Sequence, residues 1–295
     1  MHPLLCIVGP TASGKTALSI ALAQQVGGEI VSCDSVQIFR ECDLVSAKPS
    51  LAEQSAVPHH LLDILNPDET PSAALWAARA DAAIRGIKSR GKIPIVCGGT
   101  GFYLRALLAP ETLAVSPPNL ILRAELEHQR IEIGSAAMHE RLHELDPNAA
   151  ARLHPNDCHR VLRALEVLAS PPAGNGANWG GRTARIFALA WPRELLIQRI
   201  HARIETMMSE GALDETRALV HKWGEDAPAL GSVGYKQLRG FLRGEYDLEA
   251  ALELWQTATR QYAKRQGTWF RGQTKAHWLD GVRGLNELVA EVLAT

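Results

Sequence analysis

Short apolar runs alternate with longer segments of helical spacing along the first third of the chain. Residues 3–8, 29–33 and 92–97 are mostly aliphatic and have the length of buried strands. Residues 17–23 and 72–90 repeat apolar residues every three or four positions, which predicts helices with one buried face. This alternation predicts an α/β fold, with helices packed against a parallel sheet.

The alternation stops at about residue 110, and helical patterns continue to about residue 183. Residues 115–118 and 171–181 are rich in Pro, Gly and Asn, a composition typical of hinges. We therefore predict a catalytic core of residues 1–110 and 184–295, with residues 111–183 as a helical insertion. Its predicted helices cover residues 120–133, 136–145 and 157–168.

Three further elements are expected outside the insertion. A short strand is predicted at residues 61–65, and the strand pattern returns at residues 185–191. The last long helix is predicted from about residue 248 to residue 266.

The loop after the first strand reads Gly9-Pro-Thr-Ala-Ser-Gly-Lys-Thr16. Between a strand and a helix, this sequence matches the phosphate-binding pattern G-x-x-x-x-G-K-[ST]. Backbone N–H groups would surround an anion, Lys15 would add a positive charge, and the Thr16 hydroxyl could hold Mg²⁺. The pattern predicts a core like that of P-loop NTPases but leaves the bound phosphate ester open.

Polar residues follow two other predicted strands. Ligands of open α/β sheets bind beyond the carboxyl ends of the strands, so Asp34 is a candidate general base near the loop. Asp34 could also cap the turn that follows it, and the two roles are compatible. Thr100, in Gly98-Gly-Thr-Gly101, could bind a phosphate, although these residues could equally form only a turn.

Arginines supply further candidates. Arg199 and Arg203 lie four residues apart after the last core strand, and Arg203 could act on a leaving phosphate as a lid arginine does. Arg160 and Arg163 share one helix face and could bind phosphates or simply face solvent.

Composition limits the class of protein. Apolar residues make up 46% and charged residues 21%, as in ordinary globular proteins, and no apolar run approaches the roughly 20 residues of a membrane span. The sequence enters its first strand within two residues, so we expect no secretion signal and a cytoplasmic location. The five cysteines form no C-x-x-C pair, so neither disulfides nor zinc are expected. His59 and His60 are interpreted as structural.

The net charge is −1, so any nucleic-acid surface must be local. Residues 254–279 contain no acid, and they interleave cations with aromatics in a way that favours RNA contact over a solvated face. The cations are Arg260, Lys264, Arg265, Arg271 and Lys275, and the aromatics are Trp255, Tyr262, Trp269, Phe270 and Trp278.

An ordered set of motifs, spread over nearly the whole chain, resembles the bacterial tRNA dimethylallyltransferase (tRNA isopentenylpyrophosphate transferase) family. The family commonly has Gly-Thr where this chain has Val45-Ser46 and Tyr where it has Phe39, and the insertion after Glu166 is short. The motifs are residues 9–16, 34–37, 47–50, 58–61, 98–103, 156–166, 233–235 and 258–269.

The resemblance implies transfer of a dimethylallyl group from dimethylallyl diphosphate to N6 of the adenosine 3′ of the anticodon, in tRNAs reading codons that begin with U. It implies that Asp34 is the base and that Lys15, Thr100, Arg203 and Mg²⁺ on Thr16 stabilise the diphosphate. It further implies binding of the anticodon stem-loop, and we predict that the protein acts as a monomer. The implied diphosphate-binding residues are Gly9, Thr11, Ala12, Ser13, Gly14, Lys15 and Thr16. The implied tRNA-binding residues are Asp34, Ser35, Val36, Gln37, His159, Arg160, Val161, Leu162, Arg163, Ser232, Val233, Gly234, Tyr235 and Lys236.

Two other classes share parts of this pattern. A P-loop kinase or ATPase acting on a small metabolite would have the same loop, acid and late arginine. A non-catalytic RNA-binding module would have the same basic C-terminal stretch.

Overall fold

The computed structural model describes residues 3–110, 119–169 and 182–295. The chain forms two compact units, one made of Met1–Ala109 and Gly181–Thr295 and the other of Pro110–Gly180. The predicted hinges at residues 115–118 and 171–181 lie outside the described residues.

Within the described residues of the first unit, six strands form one sheet in the order β3-β2-β4-β1-β5-β6. Every neighbouring pair is parallel, so the predicted α/β fold with a parallel sheet is confirmed. The strands are β1 (Leu4–Val8), β2 (Gly28–Ser32), β3 (His59–His60), β4 (Ile93–Gly98), β5 (Ala184–Ala190) and β6 (His277–Asp280).

Helices connect or follow these strands. They are α1 (Lys15–Val26), α2 (Leu51–Ala56), α3 (Ala73–Ser89), α4 (Gly101–Leu108), α9 (Arg193–Ser209), α10 (Ala212–Trp223), α11 (Tyr235–Leu242), α12 (Leu248–Gln273) and α13 (Leu285–Ala294). Of these, α1 and α3 pack directly against the sheet. Four more, numbered α5 to α8, belong to the second unit.

Helix α3 shows how local sequence places these elements. The Ser72 hydroxyl accepts a hydrogen bond from the Leu75 N–H (3.1 Å) and begins the helix, because a side-chain oxygen at this position satisfies a free backbone donor. Its buried face carries Trp76, Ala80 and Ile84 at the spacing of one helix face. The Trp76 indole N–H donates to the Ser32 carbonyl at the end of β2 (3.0 Å), which fixes the helix against the strand from which Asp34 follows.

The second unit consists of helices around a core of its own. The carboxylate of Glu166, buried within it, accepts the Asn119 N–H (2.6 Å) and pairs with Arg123 (2.7 Å) and Arg163 (3.0 Å). Burial alone would raise the pKa of Glu166, but these hydrogen bonds hold it below the ordinary value. The helices are α5 (Leu120–Ile133), α6 (Ser135–Leu145), α7 (Pro147–Ala150) and α8 (Cys158–Ala169). The core residues are Leu126, Met138, Leu142, Ala150, Val161, Leu162 and Leu165.

Two predicted elements differ from the structure. The strand predicted at residues 61–65 is wrong: β3 ends at His60, because Leu61 and Asp63 have positive φ values of 67° and 56° that turn the chain out of the sheet. Helix α12 continues to Gln273, past its predicted end at residue 266, and carries the buried Gly267 in its interior. No helix in the described parts of the chain is long and apolar enough to span a membrane.

Candidate active site

Loops from four parallel strands meet at one edge of the sheet. β1 leads into the loop of residues 9–16, β2 leads to Asp34, β4 leads to Thr100, and β5 leads to Trp191. The carboxyl ends of parallel strands share an edge, so this placement follows from the topology.

The loop of residues 9–16 contains three residues with positive φ, as expected of the predicted anion-binding turn. Gly9, Ala12 and Gly14 have φ values of 137°, 62° and 92°, and such local reversals direct successive N–H groups inward. Arg199 Nε donates to the Ala12 carbonyl (2.8 Å) and Trp191 Nε1 to the Ser13 carbonyl (2.9 Å). These two side chains bind loop carbonyls, so Arg199 supports the loop. The predicted role of Arg203 on the leaving phosphate stays a prediction.

Lys15 lies at the start of α1, half-buried. Its ammonium group donates to the Pro10 carbonyl (2.6 Å). Burial lowers the pKa of Lys15 to about 8; Arg203 acts in the same direction, while the Asp34 carboxylate opposes it. Burial also lowers the pKa of Arg203, again opposed by Asp34. The three predicted catalytic groups Asp34, Lys15 and Arg203 therefore interact electrostatically.

Asp34 is held by its own turn. Its Oδ1 accepts the backbone N–H groups of Val36 (2.8 Å) and Gln37 (3.3 Å). In the described part of the chain, no hydrogen bond engages Oδ2. The turn-capping interpretation of Asp34 is therefore confirmed, and Oδ2 is left for a second role.

The Thr100 hydroxyl pairs with the Asp34 loop and with no residue of the loop of residues 9–16. Its oxygen accepts the Ser35 N–H (3.0 Å) and lies 3.3 Å from the Ser35 hydroxyl. The predicted phosphate contact of Thr100 stays a prediction, and the geometry adds a structural role that the sequence did not indicate.

The candidate groups surround a cavity of about 340 Å³ within the first unit. Its polar wall contains Lys15, Thr16, Asp34 and Arg203. A larger cleft of about 870 Å³ adjoins it, and both are lined by Lys15, Thr16 and Arg203. The apolar wall of the smaller cavity is formed by Val45, Ile200, Ile204, Met207, Val233 and Trp255.

Only part of the predicted tRNA-binding set lies at this cavity. Ser35, Val36, Gln37, Ser232 and Val233 line it. A Cβ on Gly234 (φ 96°) would lie 2.4 Å from Val45, and Lys236 is exposed. The Tyr235 side chain is fully buried, and its hydroxyl donates to Glu215 (2.6 Å), so Tyr235 packs inside the unit and presents no side chain to RNA.

The other predicted tRNA-binding residues belong to the second unit. His159 and Arg160 are exposed on α8. The Val161 and Leu162 side chains are buried in the unit's core, because they occupy the inner face of the helix. Arg163 pairs with Glu166.

In the basic stretch of residues 254–279, the cations and the aromatics differ in burial. Its five cations are exposed, whereas Trp255 and Phe270 are 2% and 0% exposed. These two rings are core residues, and the RNA contact predicted for the stretch as a whole stays a prediction. Half-buried Tyr262, Trp269 and Trp278 keep part of their surface outside the core.

His59 and His60 have structural partners, as interpreted. His59 Nδ1 lies 2.8 Å from the Val57 carbonyl, and His60 Nε2 lies 2.6 Å from the Glu29 carboxylate. All five cysteines are free thiols.

Three positioning residues were missed by the sequence interpretation. Gln266 on α12 hydrogen-bonds to the phosphate loop. Lys48 is 3% exposed and pairs with Asp43 and Asp63, both at 2.5 Å. The Glu215 carboxylate accepts three consecutive backbone N–H groups, those of Asp43, Leu44 and Val45, at 2.7–3.2 Å. Lys48 lies within the motif of residues 47–50 and Gln266 within the motif of residues 258–269, whereas Glu215 lies in no motif.

Comparison with known proteins agrees with this geometry. A family model described as IPP transferase matches residues 37–273, and one described as isopentenyl transferase matches residues 2–63. The chain is 47% identical over 285 residues to a tRNA dimethylallyltransferase of Anaeromyxobacter sp. (strain Fw109-5), with 95% of each chain covered.

Solved structures give the same relation. The full-length tRNA isopentenylpyrophosphate transferase from Bacillus halodurans matches with a TM-score of 0.73 and 35% identity, covering 99% of this chain and 94% of that one. A eukaryotic dimethylallyltransferase acting on tRNA matches with a TM-score of 0.76 and 28% identity, covering 94% of this chain and 73% of that one. With matches over nearly its whole length, the chain belongs to the IPP transferase family.

Proposed function

We propose that the chain transfers a dimethylallyl group from dimethylallyl diphosphate to N6 of the adenosine 3′-adjacent to the anticodon, in tRNAs that read codons beginning with U. The observation that carries the proposal is the joint lining of one 340 Å³ cavity by Lys15, Thr16, Asp34 and Arg203. A phosphate-binding loop, an acid and an apolar wall at one cavity suit a prenyl diphosphate and an amine acceptor. The relatives' names favour prenyl transfer over phosphorylation of a small metabolite.

The diphosphate is proposed to bind at Gly9, Thr11, Ala12, Ser13, Gly14, Lys15 and Thr16. The Ser13 hydroxyl is buried and has no hydrogen-bond partner in the described residues, and such a group normally finds one. A phosphate oxygen would satisfy it. The C5 chain would pack against Ile200, Ile204 and Met207 on α9.

Mg²⁺ is proposed as the cofactor, and the residues present fit it. Thr16 lines both the cavity and the cleft. In the described residues, no group of three or more His, Cys, Asp or Glu is placed to hold a metal. Mg²⁺ often binds through few protein ligands together with substrate phosphates and water, so Thr16 and the diphosphate oxygens would hold it. There it would supply positive charge to the leaving group.

The chemistry follows from the two sides of the cavity. An exocyclic amine attacks more readily when a carboxylate accepts its proton, and Oδ2 of Asp34 has that freedom. As the N6–C1 bond forms, the C1–O bond to diphosphate breaks, and the bonding electrons leave with the diphosphate. Lys15 and Arg203 would stabilise the charge that develops there, with Thr100 holding the Asp34 loop.

The proposed tRNA-binding surface is inferred from exposed positive charge. The adenosine must leave its stack to enter the cavity, between Asp34–Gln37 and Ser232–Val233. The exposed cations of α12 and the exposed residues His159 and Arg160 would bind the anticodon stem-loop. We further propose a cytoplasmic monomer.

Nucleoside mass spectrometry tests the function directly. Unmodified tRNA incubated with the protein and dimethylallyl diphosphate should gain one prenyl unit on adenosine. Parallel reactions with γ-labelled ATP test the kinase alternative, for which label would reach a small molecule. Binding of tRNA without any product would support the non-catalytic alternative.

A further inference from the structure

Gln266 joins two of the loops that form the site. It lies on α12 and is 6% exposed. Its Oε1 accepts the Thr11 N–H of the phosphate loop (2.8 Å), and its Nε2 donates to the Gly99 carbonyl (3.0 Å). An amide is the side chain that can accept from one backbone and donate to another at the same time.

Only glycine fits at residue 99 beside this amide. A Cβ at residue 99 would lie 2.1 Å from Gln266 Nε2, so a larger residue would displace the bridge. The contact is therefore built by two residues that are distant in sequence.

The bridge continues to both sides of Asp34. The Thr100 N–H donates to the Cys33 carbonyl (3.1 Å), and the Thr100 hydroxyl accepts the Ser35 N–H (3.0 Å). Cys33 and Ser35 flank Asp34 in the chain. A continuous path of hydrogen bonds thus runs from Thr11 through Gln266 and Gly99 to the Asp34 turn.

We infer that Gln266 is a positioning residue that sets the distance between the diphosphate loop and the Asp34 base. This inference rests on the proposed function. In that reaction the amine, C1 and the leaving oxygen must be aligned, and a misplacement of about 1 Å can cost about 10²-fold in rate. Gln266 lines the cavity, but its hydrogen bonds go to the backbone of Thr11 and Gly99, so it acts through the two loops.

Gln266→Leu removes both hydrogen bonds at similar volume. Turnover of prenyl transfer should fall roughly 10- to 100-fold, while the KM for tRNA stays within about twofold, since α12 keeps its exposed cations. Gln256→Leu is the matched control: Gln256 is half-buried on the same helix and lines neither cavity. It should keep wild-type turnover.

The pH dependence of turnover in Gln266→Glu distinguishes a positioning role from a purely structural one. The ionised carboxylate can accept the Thr11 N–H but repels the Gly99 carbonyl. When protonated, its O–H donates to Gly99 and both bonds return. Turnover of this variant, divided by wild-type turnover at each pH, should therefore rise as the pH falls, whereas the same ratio for Gln266→Leu should stay flat.

Unchanged turnover in a folded Gln266→Leu variant would overturn the inference. If that variant does not fold, the Gln266→Glu ratio decides, and a pH-independent ratio would also overturn it. Calorimetry with inorganic diphosphate separates this failure from failure of the proposed function. A wild-type protein that binds diphosphate but makes no prenylated adenosine contradicts the function, and weaker diphosphate binding in Gln266→Leu still supports the bridge to the loop.

Discussion

Asp34 and Arg203 line the same cavity but are proposed to act on opposite ends of the reaction. Asp34→Asn keeps the Oδ1 hydrogen bonds to Val36 and Gln37 and removes the base. Loss of a general base typically costs ~10²–10⁴-fold in rate, while the affinity for donor should change little. Steady-state kinetics and donor calorimetry measure the two effects. Near-normal turnover on saturating tRNA would leave Asp34 with only its turn-capping role.

Arg203→Ala should lower donor affinity as well as turnover, unlike Asp34→Asn. The diphosphate is charged before the reaction as well as during it, so loss of this cation weakens donor binding and turnover together. Arg193→Ala is the matched control, because Arg193 is exposed on the same helix and lines neither cavity. Donor affinity that is unaffected by Arg203→Ala would argue against the predicted contact.

Lys15 should give donor binding a pH dependence. Its pKa of about 8 means that the ammonium loses its charge as the pH rises through 8, so donor affinity should fall by up to about tenfold per pH unit above that point. Calorimetric titration of the donor from pH 6.5 to 9.5 measures this fall. Lys15→Met should bind weakly throughout and lack the break near pH 8, so a break that persists in the variant belongs to another group.

The same lowered pKa predicts the opposite trend for the ligand-free protein. Between pH 8 and the ordinary lysine value of 10.5, the unfolded chain binds more protons than the folded chain. The contribution of Lys15 to the free energy of unfolding therefore rises with pH in this window.

At the scale of elements, sequence predicts what local patterns encode. The buried strands, the helices of the insertion and the loop of residues 9–16 carry periodicity or a motif. The strand at residues 61–65 was mispredicted because apolar composition does not reveal the left-handed backbone of Leu61 and Asp63.

The candidate site was predicted where its residues follow strands or lie in a motif, but the contacts between distant segments were not predicted. Glu215 and Gln266 bond to backbone N–H groups about 170 and 255 residues away, and backbone atoms leave no residue-type pattern to detect. The buried Tyr235 and Val161 were assigned to RNA by motif, which does not distinguish a packed residue from an exposed one.

Glu215 links α10 to the loop that lines both cavities. Glu215→Gln leaves one acceptor oxygen and adds two donors against the N–H groups of Asp43, Leu44 and Val45. Of these three residues only Val45 is buried, and one unsatisfied buried donor costs about 1–3 kcal/mol, so the free energy of unfolding should fall by roughly that amount. Urea denaturation measures it, with Glu253→Gln, an exposed site on α12, as control. Equal stability of the two variants would show that the loop does not depend on this carboxylate.

At the scale of the whole molecule, each unit has its own core. Within the first unit, contacts hold the end of its first segment beside the start of its second segment. The Arg182 N–H donates to the Leu108 carbonyl (3.3 Å), and the Arg182 side chain pairs with the buried Asp81. A short linker can therefore replace residues 110–180 without separating the segments.

A protein with that replacement should remain folded and bind the donor. Its affinity for tRNA should fall, because the exposed residues His159 and Arg160 are lost with the second unit. Circular dichroism, donor calorimetry and filter binding of tRNA measure the three properties. Full tRNA affinity would confine RNA recognition to the first unit.

The position of β1 in the sheet also affects how the chain folds during its synthesis. β1 is central in the sheet and pairs with both β4 and β5, but β5 begins only at residue 184. A ribosome releases the N-terminal segment first, so the nascent chain holds one edge of its most apolar strand unpaired until the whole second unit has emerged. We expect newly made chains to need chaperones at this unpaired strand edge, because such an edge can pair with other chains.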